Sequence, residues 1–258
     1  MKPKLLGLLA GISLLALAPQ PAAANMITLT ASGSSSDGAL AAEADFTTSA
    51  GQIKIVLTNL LPSTTANLSA GQLLSDLSFT INIPPGTLGA TSASGQLANI
   101  SGTGGVTDVS GNPVRWLGQG PPAPGGTGTP ISITGNTVTM VGLEALGGGQ
   151  PSQLILPSGS DFSSANGSVL GGQFNPFVVG PATFTLALSG VTAGTDVTQA
   201  TFSFGTSPDE HDITVPGPVV GAGLPGLILA CGALLALARR RRLLVAREVG
   251  TPTPTDHR

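Results

Sequence analysis

An all-β domain of antiparallel strands, packed as a sandwich or jelly roll and followed by one C-terminal transmembrane helix, is the fold class that this sequence predicts. Three observations carry it. Apolar and polar residues alternate with a period of two through most of the chain, as strands with one buried face require. Clusters of Gly, Pro, Ser and Asn punctuate these runs, while helical periodicity is hardly visible. An uncharged apolar stretch from Val219 to Ala238 is long enough to cross a bilayer as a helix.

The strands can be taken in order. Ile27, Leu29 and Ala31 alternate with Thr28 and Thr30. Ile53, Ile55 and Leu57 alternate with Gln52, Lys54 and Thr58, with Val56 intruding on the polar face. Leu77, Phe79, Ile81 and Ile83 are separated by Ser78, Thr80 and Asn82 and stopped by Pro84 and Pro85. Ile131 and Ile133 face Val138 and Met140 across Gly135 and Asn136, a tight hairpin. Phe184, Leu186 and Leu188 form a later strand, and Phe202 and Phe204 another. Residues 101–129 are rich in Gly and Pro, above all from Gly120 to Gly126, and predict a long loop within one domain of residues 25–213.

The ends decide the compartment. Lys2 and Lys4 precede an apolar run from Leu5 to Ala18, and Ala22, Ala23 and Ala24 then lead into Asn25. That order is a secretory signal peptide over residues 1–24, with signal peptidase cutting between Ala24 and Asn25. The run is too short to span a hydrocarbon core of about 30 Å, and Pro19 and Pro21 break it. At the other end Arg239, Arg240, Arg241 and Arg242 follow the apolar stretch. Positive charge beside a span stays on the cytoplasmic side, so the domain before it is expected outside and the residues 243–258 inside, unless they are removed.

Composition narrows the function. The stretch between the two ends holds two basic residues, Lys54 and Arg115, against eleven acidic ones, an imbalance that the net charge of −3 hides. An acidic surface disfavours nucleic acid and anionic lipid as partners. The single cysteine, Cys231, lies in the apolar stretch, so no disulfide staples the domain. Tyrosine is absent and small residues dominate, which leaves less apolar area to bury per residue than in an average core.

Chemistry has few places to reside. Asp209, Glu210, His211 and Asp212 combine carboxylates with the sole histidine of this stretch, but four consecutive side chains do not converge on one ion without an unusual turn. Their position before the apolar stretch reads as a solvated stalk. A Ser–His–acid site would have to use His211, and no thiol is available. The remaining carboxylates are dispersed, so no catalytic, cofactor or metal site is expected. Trp116 beside Arg115 admits two readings, a core side chain or a ring that stacks on a sugar. Asn67, Asn99 and Asn166 each open an Asn-X-Ser triplet, a pattern that arises often by chance in such a chain.

Residues 215–242 run Val215, Pro216, Gly217, Pro218, then the apolar stretch and the arginines. This order resembles the PEP-CTERM sorting signal of Gram-negative bacteria. The resemblance implies recognition by an exosortase, a membrane protease that acts near the proline motif. It assigns Val215 to Pro218 as the motif, Val219 to Ala238 as the span and Arg239 to Arg242 as the retention signal. Gly217 stands where the namesake motif has glutamate, and sixteen residues follow Arg242 where such proteins end close to the arginines. The stretches Asp37 to Thr80 and Gly180 to Pro208 also look like those of exported proteins that bear this tail.

The expectation is therefore a non-enzymatic exported protein, anchored in the inner membrane before processing and then on the cell surface or in the matrix, associated with exopolysaccharide or biofilm. Two alternatives stand beside it. One is a carbohydrate-binding module that uses Trp116. The other is a secreted hydrolase, for which no motif assembles the residues.

Overall fold

The computed structural model describes residues 24–109, 111, 114–116, 131–142, 151–207 and 210–218. The described residues are mostly β-sheet. Strands β1 (Asn25–Ser35), β2 (Gly38–Ser49) and β3 (Gln52–Asn59) form an antiparallel meander. β4 (Leu74–Ile81), β5 (Leu88–Ile100) and the short β6 (Val106–Asp108) follow, then the hairpin β7 (Ile131–Thr134) and β8 (Thr137–Val141). β9 (Ile155–Leu156), one helical turn α1 (Gly167–Leu170), β10 (Phe177–Leu188), β11 (Val197–Phe204) and β12 (His211–Pro216) complete the fold.

Hydrogen bonds join all these strands into one sheet, ordered β1-β2-β3-β10-β9-β4-β11-β12, with β5 and β6 branching from β10 and the β7–β8 hairpin from β4. Every pairing is antiparallel except that of β9 with β10. The sheet curls, so that the ring of Phe46 on β2 lies 5.1 Å from that of Phe79 on β4. The first and last strands are also neighbours, with the Ile213 side chain of β12 resting on Gly33 of β1.

Alternation built the core as the sequence reading expects. Ile27, Leu29 and Ala31, Ile53, Ile55 and Leu57, Leu77, Phe79 and Ile81, Phe184, Leu186 and Leu188, and Phe202 are all buried in the main apolar cluster. In the β7–β8 hairpin Ile131 stands opposite Met140 and Ile133 opposite Val138, around the turn at Gly135. Two expectations are corrected, and one strand escaped the sequence pattern. Ile83 falls beyond the end of β4. The loop of residues 101–129 contains β6, whose three residues pair with Ala98–Ile100 of β5. β5 itself carries no apolar alternation over most of its length. It is a strand because its backbone pairs with β10, not because a side-chain face is buried.

A second, smaller cluster packs Leu68, Leu73, Ile100, Leu154, Phe162, Val169, Phe174 and Phe177 with their neighbours. Most of these side chains come from turns and connections, not from the long strands. Several expectations fall outside the described residues: the signal peptide over residues 1–23, residues 117–129 of the Gly/Pro-rich segment, Asp209, and the apolar stretch from Val219 to Ala238 with its arginines and the tail 243–258. Among the described residues no helix is long and apolar enough to cross a membrane.

Candidate functional site

The segment singled out by sequence, Val215 to Pro218, begins as the last two residues of β12 and runs two residues past it. The strand lies beside β11 in the register His211 opposite Phe204 through Pro216 opposite Gln199. Side chains reinforce the pair: the Asp212 carboxylate accepts from the Ser203 hydroxyl, and the Thr201 and Thr214 hydroxyls lie 2.8 Å apart. Ile213 and Val215 point inward, half-buried, and pack against the main core. Past the strand, the Gly217 N–H donates to the Thr198 carbonyl at 2.7 Å. A Cβ on Gly217 would come within 2.1 Å of the Val197 carbonyl oxygen, so the backbone passes here at a distance only glycine allows. Pro216 and Pro218 face solvent.

For Glu210, His211 and Asp212 the expected stalk is corrected by this arrangement. His211 and Asp212 begin the strand, and Glu210 caps the turn before it. The Glu210 Oε2 atom accepts from the backbone N–H groups of Thr206 at 2.7 Å and Ser207 at 3.2 Å and lies within reach of both their hydroxyls. The His211 ring meets a residue that sequence reasoning could not pair with it. Its Nε2 lies 3.0 Å from Oδ2 of Asp37, in the two-residue turn between β1 and β2, and 3.9 Å from Oε1 of Glu210. One donor atom from each of Asp37, Glu210 and His211 lies within 4.8 Å of the others. Carboxylates spaced for a common ligand do occur here, although Asp37 and Glu210 are exposed and each already has a partner within the protein.

The turn that presents Asp37 is itself fixed by the fold. Asp37 Oδ1 lies 3.4 Å from the Ser69 hydroxyl, and Gly71 leaves room for its carboxylate. The adjoining Gln72 donates from Nε2 to the Ala39 carbonyl at 2.9 Å. The contact between His211 and Asp37 thus ties the start of β12 to the first hairpin.

Trp116 is not a surface ring. It is fully buried, its Nε1–H donates to the Gln153 carbonyl at 2.8 Å, and its indole lies 5.2 Å from the ring of Phe184. Gly142 lies against the indole so closely that a Cβ there would sit 2.0 Å from the ring. With no face open to solvent, this side chain cannot stack on a sugar, and the glycan-contact reading of Trp116 is corrected to a core role.

At the other end of the domain, β1 begins at Asn25, directly after Ala24. The Asn25 side-chain amide donates to Asp196 Oδ1 at 2.8 Å and to the Thr195 carbonyl at 3.4 Å. Compared with protein families, with curated proteins and with solved structures, the chain matches none.

Proposed function

We propose that this chain is a non-enzymatic, exported surface or matrix protein whose antiparallel β-sandwich is delivered by a signal peptide and sorted through its C-terminal PEP-CTERM-like tail, in association with exopolysaccharide or biofilm. One observation carries the reading. The sheet opens at Asn25, directly after the expected signal-peptidase cut, and closes at Pro216, inside the Val215 to Pro218 motif. A cut before Asn25 and one past Pro218 leave every strand of the sheet in place. The facing of Phe46 and Phe79 across the curled sheet supports the sandwich. The acidic character of the domain suits a soluble surface role rather than contact with nucleic acid.

The test is made on protein recovered from the surface of the native host. Terminal sequencing is expected to begin at Asn25, and intact-mass analysis to find no peptide from Leu227 to Arg258. Replacing Arg239 to Arg242 with Ala is expected to impair that removal. Retention of the full tail in a host whose exosortase processes another substrate overturns the sorting reading and leaves a single-pass anchor. A start at Met1 overturns the signal peptide.

A further inference from the structure

The sorting segment lies on the domain that it is meant to release. A protease acting on a chain segment takes it as an extended strand and supplies hydrogen-bond partners for its backbone. Here one side of that backbone already belongs to β11. Val215 pairs with Ala200, Pro216 with Gln199, and the Gly217 N–H with the Thr198 carbonyl. The close passage of Gly217 over Val197 and Thr198 leaves no gap for a second chain. On the far side β1 closes in, with Ile213 seated on Gly33, and the contact of His211 with Asp37 holds the beginning of the strand.

We propose that the folded domain masks its own sorting segment, so that removal of the tail requires the end of β12 to detach from β11. This rests on the sorting reading given above and adds a gate to it. In the cleavage one peptide C–N bond breaks near the motif. The acyl carbon takes the hydroxyl of water, or the nitrogen of an acceptor amine, and a proton goes to the amine that leaves with the tail. None of this chemistry proceeds while the segment is bonded to β11. Short edge strands open more readily than central ones, so the gate opens by local fraying without unfolding the core. The glycine at position 217 acquires a physical reason: a side chain there would push the segment off Val197 and Thr198.

The experiment uses the full-length chain in its native host and two opposing variants. The pair Thr201→Cys with Thr214→Cys, whose hydroxyls touch across the two strands, locks β12 to β11 by a disulfide; the other thiol of the chain is Cys231 in the apolar stretch. Gly217→Ala does the reverse, since its Cβ cannot be accommodated against Val197. Tail removal is expected to be lost in the oxidised double variant, restored by reductant, and faster than wild type in Gly217→Ala. Hydrogen exchange of purified full-length protein in detergent is expected to show the position 217 amide protected in wild type and fast in Gly217→Ala. Equal processing of the oxidised double variant and wild type overturns the gate while leaving the sorting reading intact. A tail retained by wild type, by Gly217→Ala and by the reduced double variant alike, beside a processed control substrate, overturns both.

Discussion

The main core and the smaller apolar cluster are assembled from different materials. The main core takes its side chains from long strands in which every second residue points inward, and the ladders satisfy the backbone as a matter of course. The smaller cluster buries Leu68, Leu154, Phe162 and Phe174 on segments that have few ladder partners. Side-chain amides stand in for them. Asn59 Nδ2 donates to the Gln72 carbonyl at 3.0 Å and also to that of Ile155, a main-core residue of β9, at 3.2 Å, and Gln72 Oε1 accepts from the Ser69 N–H at 3.0 Å. Asn175 bonds both the N–H and the carbonyl of Ile100, at 2.8 and 3.1 Å. A chain poor in aromatics can thus bury irregular backbone, provided that it places Asn and Gln where a ladder would have been.

The comparison breaks most visibly in the main core. Phe46 is fully buried between the faces of the curled sheet, so Phe46→Ala is expected to cost about 3–5 kcal/mol. Urea unfolding of the purified domain measures it. A loss below about 1 kcal/mol would mean that the faces do not depend on this contact.

In the smaller cluster the vulnerable groups are polar. Asn59→Ala deprives two buried carbonyls of their donor, and the expected loss is about 1–3 kcal/mol. Hydrogen exchange should rise around residues 68–73 and 154–156 before it rises in β1 to β3. Uniform acceleration across both regions would show that the two clusters unfold as one cooperative unit and erase the distinction drawn between them.

The same contrast separates what was legible in the sequence from what was not. Where one face is buried against a partner strand, the side chains announce it, and the facing pairs of the β7–β8 hairpin follow from the turn alone. β5 was illegible because nearly all of its early side chains are exposed and its strand character comes from the backbone of β10. β12 alternates Ile213 and Val215 with Asp212 and Thr214, yet the neighbouring charges read as a stalk and the prolines as the start of a tail. Its partner for His211 lies 174 residues away, beyond the reach of any local pattern. Trp116 was ambiguous for a related reason: burial of a single aromatic depends on Phe184, Gln153 and Gly142, none of them its sequence neighbours.

The smallest expected effect lies at the rim of the smaller cluster, where Asp161 precedes the buried Phe162. The Asp161 carboxylate accepts from the Ser163 N–H at 2.9 Å, and that backbone bond, with a lesser contribution from the Ser163 hydroxyl, holds its pKa below the ordinary aspartate value. A folded-state pKa lowered in this way means that the ionised form binds better to the fold than to the unfolded chain. Its contribution is therefore fully present above the unfolded pKa and is lost as pH falls through the folded one. Asp161→Asn keeps an oxygen to accept from Ser163 but removes the charge. Wild type is expected to melt slightly above Asp161→Asn at neutral pH, with the gap closing in the acid range below the ordinary aspartate pKa. The carboxylate is fully solvated, so water and salt weaken the interaction, and added salt should narrow the gap at neutral pH. A gap that stays constant from neutral to strongly acid pH would assign the role of Asp161 to the shape of its turn and not to its charge.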